Sequence, residues 1–205
     1  MEVLIVKSIF IPNREYLDTN TNALFNLIDL LKSIDLDGVD LKIILIGWVK
    51  LEEYSVIIEK IINSNKFLFS YIYKIYFAVN YGKYYMLNKI IDLQLTYNLI
   101  FYIDHDILFP LIDIPKNIFH LASSIFSSRN ESICNIGLVS LNHIEDIRHQ
   151  NNIYENEIEI SGIKCIYPNS GDFCAIATGC YFSSFMSFSK LKRFELLNVY
   201  GLDDY

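Results

Sequence analysis

The chain has 205 residues, 52% of them hydrophobic and 15% aromatic, with 24 acidic against 17 basic side chains and a formal charge of -7. That is enough for one domain burying about 70% of the surface its unfolded chain exposes. The acidic balance argues against nucleic acid as a partner, because phosphate backbones attract basic surfaces. No run reaches the ~18 uncharged apolar residues that a membrane span needs. The start, MEVLIVKSIFIP, is apolar but interrupted by Glu2 and Lys7 and lacks a small-residue cleavage site, so it reads as a first strand and not a signal peptide. Cys134, Cys165, Cys174 and Cys180 show no C-x-x-C spacing. They read as buried free thiols of a cytoplasmic protein, with a disulfide as the alternative.

In chain order, Val3 to Ile11 is a near-continuous apolar strand. Leu24, Leu27, Ile28, Leu31 and Ile34 recur at helical spacing, with Asp18 or Thr19 as the expected N-cap. Leu41 to Ile46 is the second strand, and Leu51, Tyr54, Ile57, Ile58, Ile61 and Ile62 mark the second helix. Tyr71 to Val79 is the third strand. A third helix follows Gly82 with Met86, Ile90, Leu93 and Tyr97 inward, and a fourth strand ends at Asp104. This alternation predicts a parallel sheet with right-handed crossovers, whose ligands sit beyond the carboxyl ends of the strands. In the second half, Pro115 opens a helix with Ile118, Phe119, Ala122, Ile125 and Phe126 inward, and Cys134 to Leu141 is a strand. Asn142 to Asn156 reads as a polar loop. Glu157 to Ile160 and Ile163 to Tyr167 read as a hairpin, Phe173 to Thr178 as a strand, and Ser187 to Arg193 as a short helix.

The stretch NLIFYIDHDILFP, Asn98 to Pro110, carries the sharpest signal. Asp104 and Asp106 stand two apart at the downstream end of an apolar strand. Carboxylates this close repel one another unless a cation offsets them. A divalent metal does so and also binds phosphate oxygens, so the motif reads as a metal–diphosphate grip. Three other features lie at predicted rim positions. Pro12, Asn13 and Arg14 close the first strand, where Arg14 faces either a phosphate or base, or solvent. Asn80-Tyr81-Gly82-Lys83 opens the third helix at an anion-favouring N-terminus. Asn88 in that helix is either a ligand contact or an ordinary structural polar residue. Tyr200-Gly201-Leu202-Asp203-Asp204-Tyr205 closes the chain.

Taken in order, strand–Pro-Asn-Arg, Asn-x-Gly-Lys with a downstream Asn, strand–Asp-x-Asp, Thr-Gly-Cys and Tyr-Gly-x-Asp-Asp resemble the GT-A glycosyltransferases, most of all their inverting family 2-like branch. The resemblance runs over nearly the whole chain. It implies an α/β, GT-A (Rossmann-like) fold with a mixed, mainly parallel central sheet flanked by helices. The chain would be one domain, with residues 1–106 as the nucleotide-sugar half and residues 107–205 as the acceptor half. The implied activity is metal-dependent transfer of a sugar from a UDP- or GDP-sugar to a hydroxyl of a glycan, protein or lipid-linked acceptor, with inversion. It implies that Pro12, Asn13 and Arg14 lie against base and ribose, that Lys83 and Asn88 line the nucleotide side, and that His105 faces the sugar. Asp104 and Asp106 would hold Mn²⁺ or Mg²⁺, Asp104 through the ribose side or a bound water. Gly179 and Cys180 would approach the donor sugar, and Asp203 or Asp204 would be the general base.

The sequence departs from the family pattern in places. Where the family carries an acidic residue after the second strand, this chain reads Ile46-Gly47-Trp48-Val49, and Trp48 is either a stacking surface for the base or core. The resemblance also implies chain beyond the Asp-Asp pair, which leaves Asp204 weakly held. Haloacid-dehalogenase-like phosphatases carry Asp-x-Asp on the first strand, and sugar-phosphate nucleotidyltransferases need a glycine-rich loop that Phe10 to Tyr16 lacks. The non-enzymatic alternative is a carbohydrate-binding or scaffold protein that keeps the fold without turnover.

Overall fold

The computed structural model describes residues 1–112, 114–127, 139–140, 156–160, 163–167 and 180–184. The expected alternation is present. It runs β1 (Glu2–Ile11), α1 (Arg14–Ser33), β2 (Asp40–Val49), α2 (Glu52–Ser64), β3 (Tyr71–Phe77), α3 (Lys83–Asp92), β4 (Leu99–Ile103) and α4 (Ile118–Ser127). The described elements of the second half are β5 (Val139–Ser140), β6 (Asn156–Ile160), β7 (Ile163–Tyr167) and β8 (Cys180–Ser184).

β1 to β4 are parallel in the order β3-β2-β1-β4, and β8 and then β5 extend the sheet antiparallel beyond β4. The sheet is therefore mixed and mainly parallel. Successive crossovers move from β1 outward to β3, then jump back to β4 on the other side of β1. The gap between the ends of β1 and β4 is the topological switch point, where such sheets open a crevice. The hairpin of β6 and β7 forms a separate two-stranded sheet in the expected register, Ile160 opposite Ile163.

Alternation along β1 separates two apolar layers. Val3, Ile5, Ile9 and Ile11 pack with Leu24, Leu27, Ile28 and Leu31 of α1, Ile58 and Ile62 of α2, and Phe119 and Ala122 of α4. Leu4 and Val6 pack with Ile44, Ile46, Ile100 and Tyr102 and with Leu87 and Ile90 of α3 on the opposite face. Burial on both faces explains why these strands read as unbroken apolar runs. β8 joins the first layer through Phe182, whose ring stacks on Phe101 at 4.2 Å and 8°.

Three details differ from the sequence reading. The N-cap of α1 is Asn13, whose side chain accepts the Tyr16 N–H, so the helix begins well before Asp18 or Thr19. The exposed first turn, polar apart from Leu17, hides this start from an apolar-periodicity reading. Tyr97 is buried in the segment after α3 and not on the helix itself. The last strand of the main sheet among the described residues is Cys180–Ser184; the expected strand Phe173 to Thr178 and helix Ser187 to Arg193 lie outside the described residues.

Gly47 sits in β2 opposite Ile9, where a Cβ would come within 1.8 Å of the Ile9 carbonyl oxygen. Only a residue without a side chain allows β1 and β2 to pair there. Gly47→Ala is expected to lower unfolding stability by about 3 kcal/mol or more, read as a shifted urea midpoint.

Candidate functional site

The residues at the switch point are organised from below by Lys7. It lies in the middle of β1, between Leu45 of β2 and Ile103 of β4, and is fully buried. A lysine is rarely buried without a partner. Here its Nζ donates to the main-chain carbonyl of Asp104, the first residue beyond β4. Burial pulls the ammonium down from 10.5 to about 8, and the charges of Asp104 and Asp106 hold it from falling further. The cation needed to offset the two aspartates is therefore already part of the chain. By sequence pattern alone that duty falls to a metal, and Lys7 is only an interruption of an apolar run. A charge inside a strand predicted to be buried on both faces was the available signal.

The same Asp104 carbonyl also receives the Ile107 N–H at 3.5 Å, which closes a turn over Asp104-His105-Asp106. The Asp104 carboxylate accepts the Tyr102 hydroxyl at 2.7 Å and is half-buried. The Asp106 side chain is 55% exposed and stands 4.0 Å from His105 Nε2. The downstream leg of the turn is fixed by Asn26 of α1. Its Oδ1 accepts the Phe109 N–H at 2.6 Å, and its Nδ2 donates to the Phe109 carbonyl at 3.1 Å.

A second asparagine does the same for the end of β1. Asn20, fully buried in α1, accepts the Phe10 N–H at 3.2 Å and donates to the Phe10 carbonyl at 2.9 Å. Phe10 then lies at the rim among three other rings, with Tyr16 at 5.2 Å, Trp48 at 5.3 Å and His105 at 5.2 Å. Edge-on and tilted contacts at these distances are each worth about 0.5–1.5 kcal/mol beyond burial. Trp48 is half-buried and its indole N–H donates to the Ala78 carbonyl at 3.1 Å, tying the ends of β2 and β3. This gives an aromatic surface beside the two aspartates, which the sequence reading had only in the form of Trp48.

The expected site residues distribute as follows. Pro12, Asn13, Asp104, His105, Asp106 and the backbone of Cys180 gather at the adjacent carboxyl ends of β1 and β4 and the incoming end of β8. The Asn13 side chain caps α1. Arg14 is an exposed first-turn residue 3.6 Å from Asp18, and it lines a shallow groove between α1 and α2 of about 320 Å³. Cys180 is a buried thiol beside Lys7, its pKa pushed up to about 12 by burial. Asn88 is half-buried on α3. The backbone of Lys83 begins α3 after Gly82, whose N–H bonds Asn80 Oδ1 at 2.9 Å. The chain reaches that helix start from β3, which β2 and β1 separate from β4 by roughly 14 Å of strand spacing. An elongated ligand would be needed to touch both. The side chain of Lys83 and the whole of Gly179, Asp203 and Asp204 lie outside the described residues.

A divalent cation is compatible with this donor set. Exposed carboxylate oxygen is the hard donor that Mg²⁺ and Mn²⁺ take, commonly through one or two carboxylates with water and phosphate completing the shell. Among the described residues no three His, Cys, Asp or Glu side chains converge to hold a metal by themselves. Among the described residues no helix is long and apolar enough to cross a membrane.

Two outcomes test the supports of this rim. Asn26→Ala should cost about 2 kcal/mol in a urea melt, because both backbone groups of the buried Phe109 lose their partner. The second concerns Lys7. Its ammonium binds protons more weakly folded, at about 8, than unfolded, at 10.5. Between those values the unfolded chain holds more protons, so wild-type stability gains with rising pH. Measured against Lys7→Met, the gain should be on the order of 3 kcal/mol from pH 7 to pH 11.

No family model matches the chain, and no curated protein matches it. Among solved structures, a mannosyltransferase of Pyrobaculum calidifontis, PcManGT in complex with GDP-Man and Mn²⁺, aligns with a TM-score of 0.41 at 13% identity, over 68% of this chain and 34% of that one. The chain thus spans about a third of the length of that neighbour.

Proposed function

We propose that the chain is a glycosyltransferase that binds a nucleoside-diphosphate sugar along the carboxyl rim of its sheet. The observation that carries this reading is the Asp104-His105-Asp106 turn, held at the switch point next to an aromatic surface. Three chemistries lie along one rim. Asp106 offers exposed carboxylate oxygen. Phe10, Tyr16 and Trp48 offer ring faces and edges for a planar base. The start of α3 offers backbone N–H groups to an anion. The ordered motifs that resemble the family 2-like GT-A enzymes point to the same ligand class.

In this reading Asp106, with Asp104, would hold Mn²⁺ or Mg²⁺. A divalent ion so held supplies Lewis-acid stabilisation of the charge that builds on the departing diphosphate. Tyr102 orients the Asp104 carboxylate through its hydroxyl. His105 is carried between the two aspartates and faces the sugar, while Gly179 and the Cys180 backbone line its other side. Pro12, Asn13 and Arg14 flank the base and ribose, and Lys83 and Asn88 the far end of the nucleotide. Asp203 or Asp204 takes the proton of the acceptor hydroxyl, a step worth about 10²–10⁴ in rate. Displacement from the face opposite the diphosphate inverts the anomeric centre.

A second reading is favoured by one observation. Lys7 already offsets the acidic pair, so the aspartates persist without requiring metal or turnover. A non-catalytic carbohydrate-binding or scaffold protein on this fold is the result.

Calorimetry with UDP- and GDP-sugars, with and without Mn²⁺, tests the first reading. Binding that requires Mn²⁺, followed by release of the nucleoside diphosphate, is expected. Binding to none of them, or binding indifferent to metal, overturns it, and binding without any release favours the second reading. Asp106→Ala is expected to remove the Mn²⁺-dependent binding and lower the melting temperature only slightly, because it relieves repulsion with Asp104 but also removes one of the charges that support the buried Lys7 ammonium.

A further inference from the structure

We propose that Lys7 is the positioning residue of this site: from inside the sheet, its hydrogen bond to the Asp104 carbonyl sets the turn that presents Asp106. The proposal rests on the nucleotide-sugar reading.

The geometry is specific. Alternation along β1 puts Lys7 on the same face as Val3, Ile5 and Ile9, in the layer covered by α1, α2 and α4. Ile103 and Cys180 continue the same row across β4 and β8, because Lys7 pairs with Ile103 and Ile103 pairs with Cys180. All three are buried. The ammonium is thus walled by apolar neighbours and reaches upward to the first carbonyl beyond the strand. That carbonyl is also the acceptor that closes the Asp104-to-Ile107 turn. Fixing it fixes where the chain leaves the sheet, and with Asn26 holding Phe109 the segment between is pinned at both ends. A main-chain anchor of this kind fixes the turn without itself occupying the exposed Asp106 carboxylate. Lys7 touches no reacting atom, since its side chain is buried beneath the turn.

Lys7 carries a hydrogen-bond donor and a positive charge, and the two have opposite consequences for a bound cation. If charge alone mattered, removing it would make the acidic rim more negative and tighten Mn²⁺ binding. If the hydrogen bond matters, removing it releases the turn and weakens binding. Lys7→Met removes both, and Lys7→Gln removes the charge but keeps an N–H donor, one bond shorter along the side chain.

The test measures Mn²⁺ affinity by electron paramagnetic resonance in the presence of GDP or UDP, on wild type, Lys7→Met and Lys7→Gln. Urea melts on the same samples report folding. At least tenfold weaker Mn²⁺ binding in Lys7→Met, with recovery to within about threefold of wild type in Lys7→Gln, is the expected result, since 1.4 kcal/mol of lost anchoring is a factor of ten. Equal or tighter binding in a folded Lys7→Met overturns the role, as does a Lys7→Gln that binds as weakly as Lys7→Met. Should Lys7→Met not fold, Lys7→Gln decides: near-wild-type affinity supports the hydrogen-bond anchor and a tenfold loss overturns it. Failure of wild type itself to bind Mn²⁺ with either nucleotide sinks the nucleotide-sugar reading and is separable from these outcomes.

Discussion

A single buried ammonium joins the centre of the sheet to its working edge. Lys7 stands in the middle strand, where a charge is most costly, and its partner is a main-chain carbonyl at the mouth of the crevice. Taking an ammonium out of water costs several kcal/mol even after relaxation. A carbonyl alone offsets part of that, and the nearby Asp104 and Asp106 charges offset more. The interaction is coherent only if the acidic turn sits directly above the lysine. The turn therefore cannot drift without leaving a charge stranded in an apolar layer.

The helix α1 completes this arrangement in a different way. Asn20 and Asn26 each use both ends of a side-chain amide on the backbone of a single residue, Phe10 and Phe109. An amide is suited to this because it donates and accepts within one group. One helix thereby holds the two segments that emerge from β1 and β4 on either side of the switch point. The rim is built from backbone held by buried and half-buried side chains. Its exposed chemistry is confined to a few groups, Asp106 foremost among them.

Most of the fold was legible because it follows from apolar periodicity. The alternation of strands and helices through Ile103, the inward residues of α4, and the β6–β7 hairpin all come from patterns that burial imposes directly. The location of the Asp-x-Asp turn was legible for the same reason, since it ends a buried strand. The supports were not. Lys7, Asn20 and Asn26 are polar residues whose partners lie up to 97 positions away, and nothing in local sequence says which carbonyl each will meet. The early start of α1 was missed because an Asn cap followed by an exposed first turn carries little apolar signal. The pairing of Cys180 to Ser184 with β4 was not legible, because a short apolar stretch does not say which strand it will meet.

The antiparallel pairing of β8 with β4 bears on how the molecule is made. Synthesis proceeds from the amino end, and domains consolidate as their parts emerge. β1 to β4 and their helices contain most of both apolar layers, so this portion has the means to collapse early. β4 then stands at an open border until Cys180 to Ser184 has left the ribosome some eighty residues later. It is apolar on both faces, and its own Phe101 lacks the Phe182 ring that will stack on it. A bare, apolar border strand is an invitation to pair with another chain. For this protein the hazardous interval of biosynthesis is the translation of residues 104 to 184, and its vulnerable surface is the outer margin of β4.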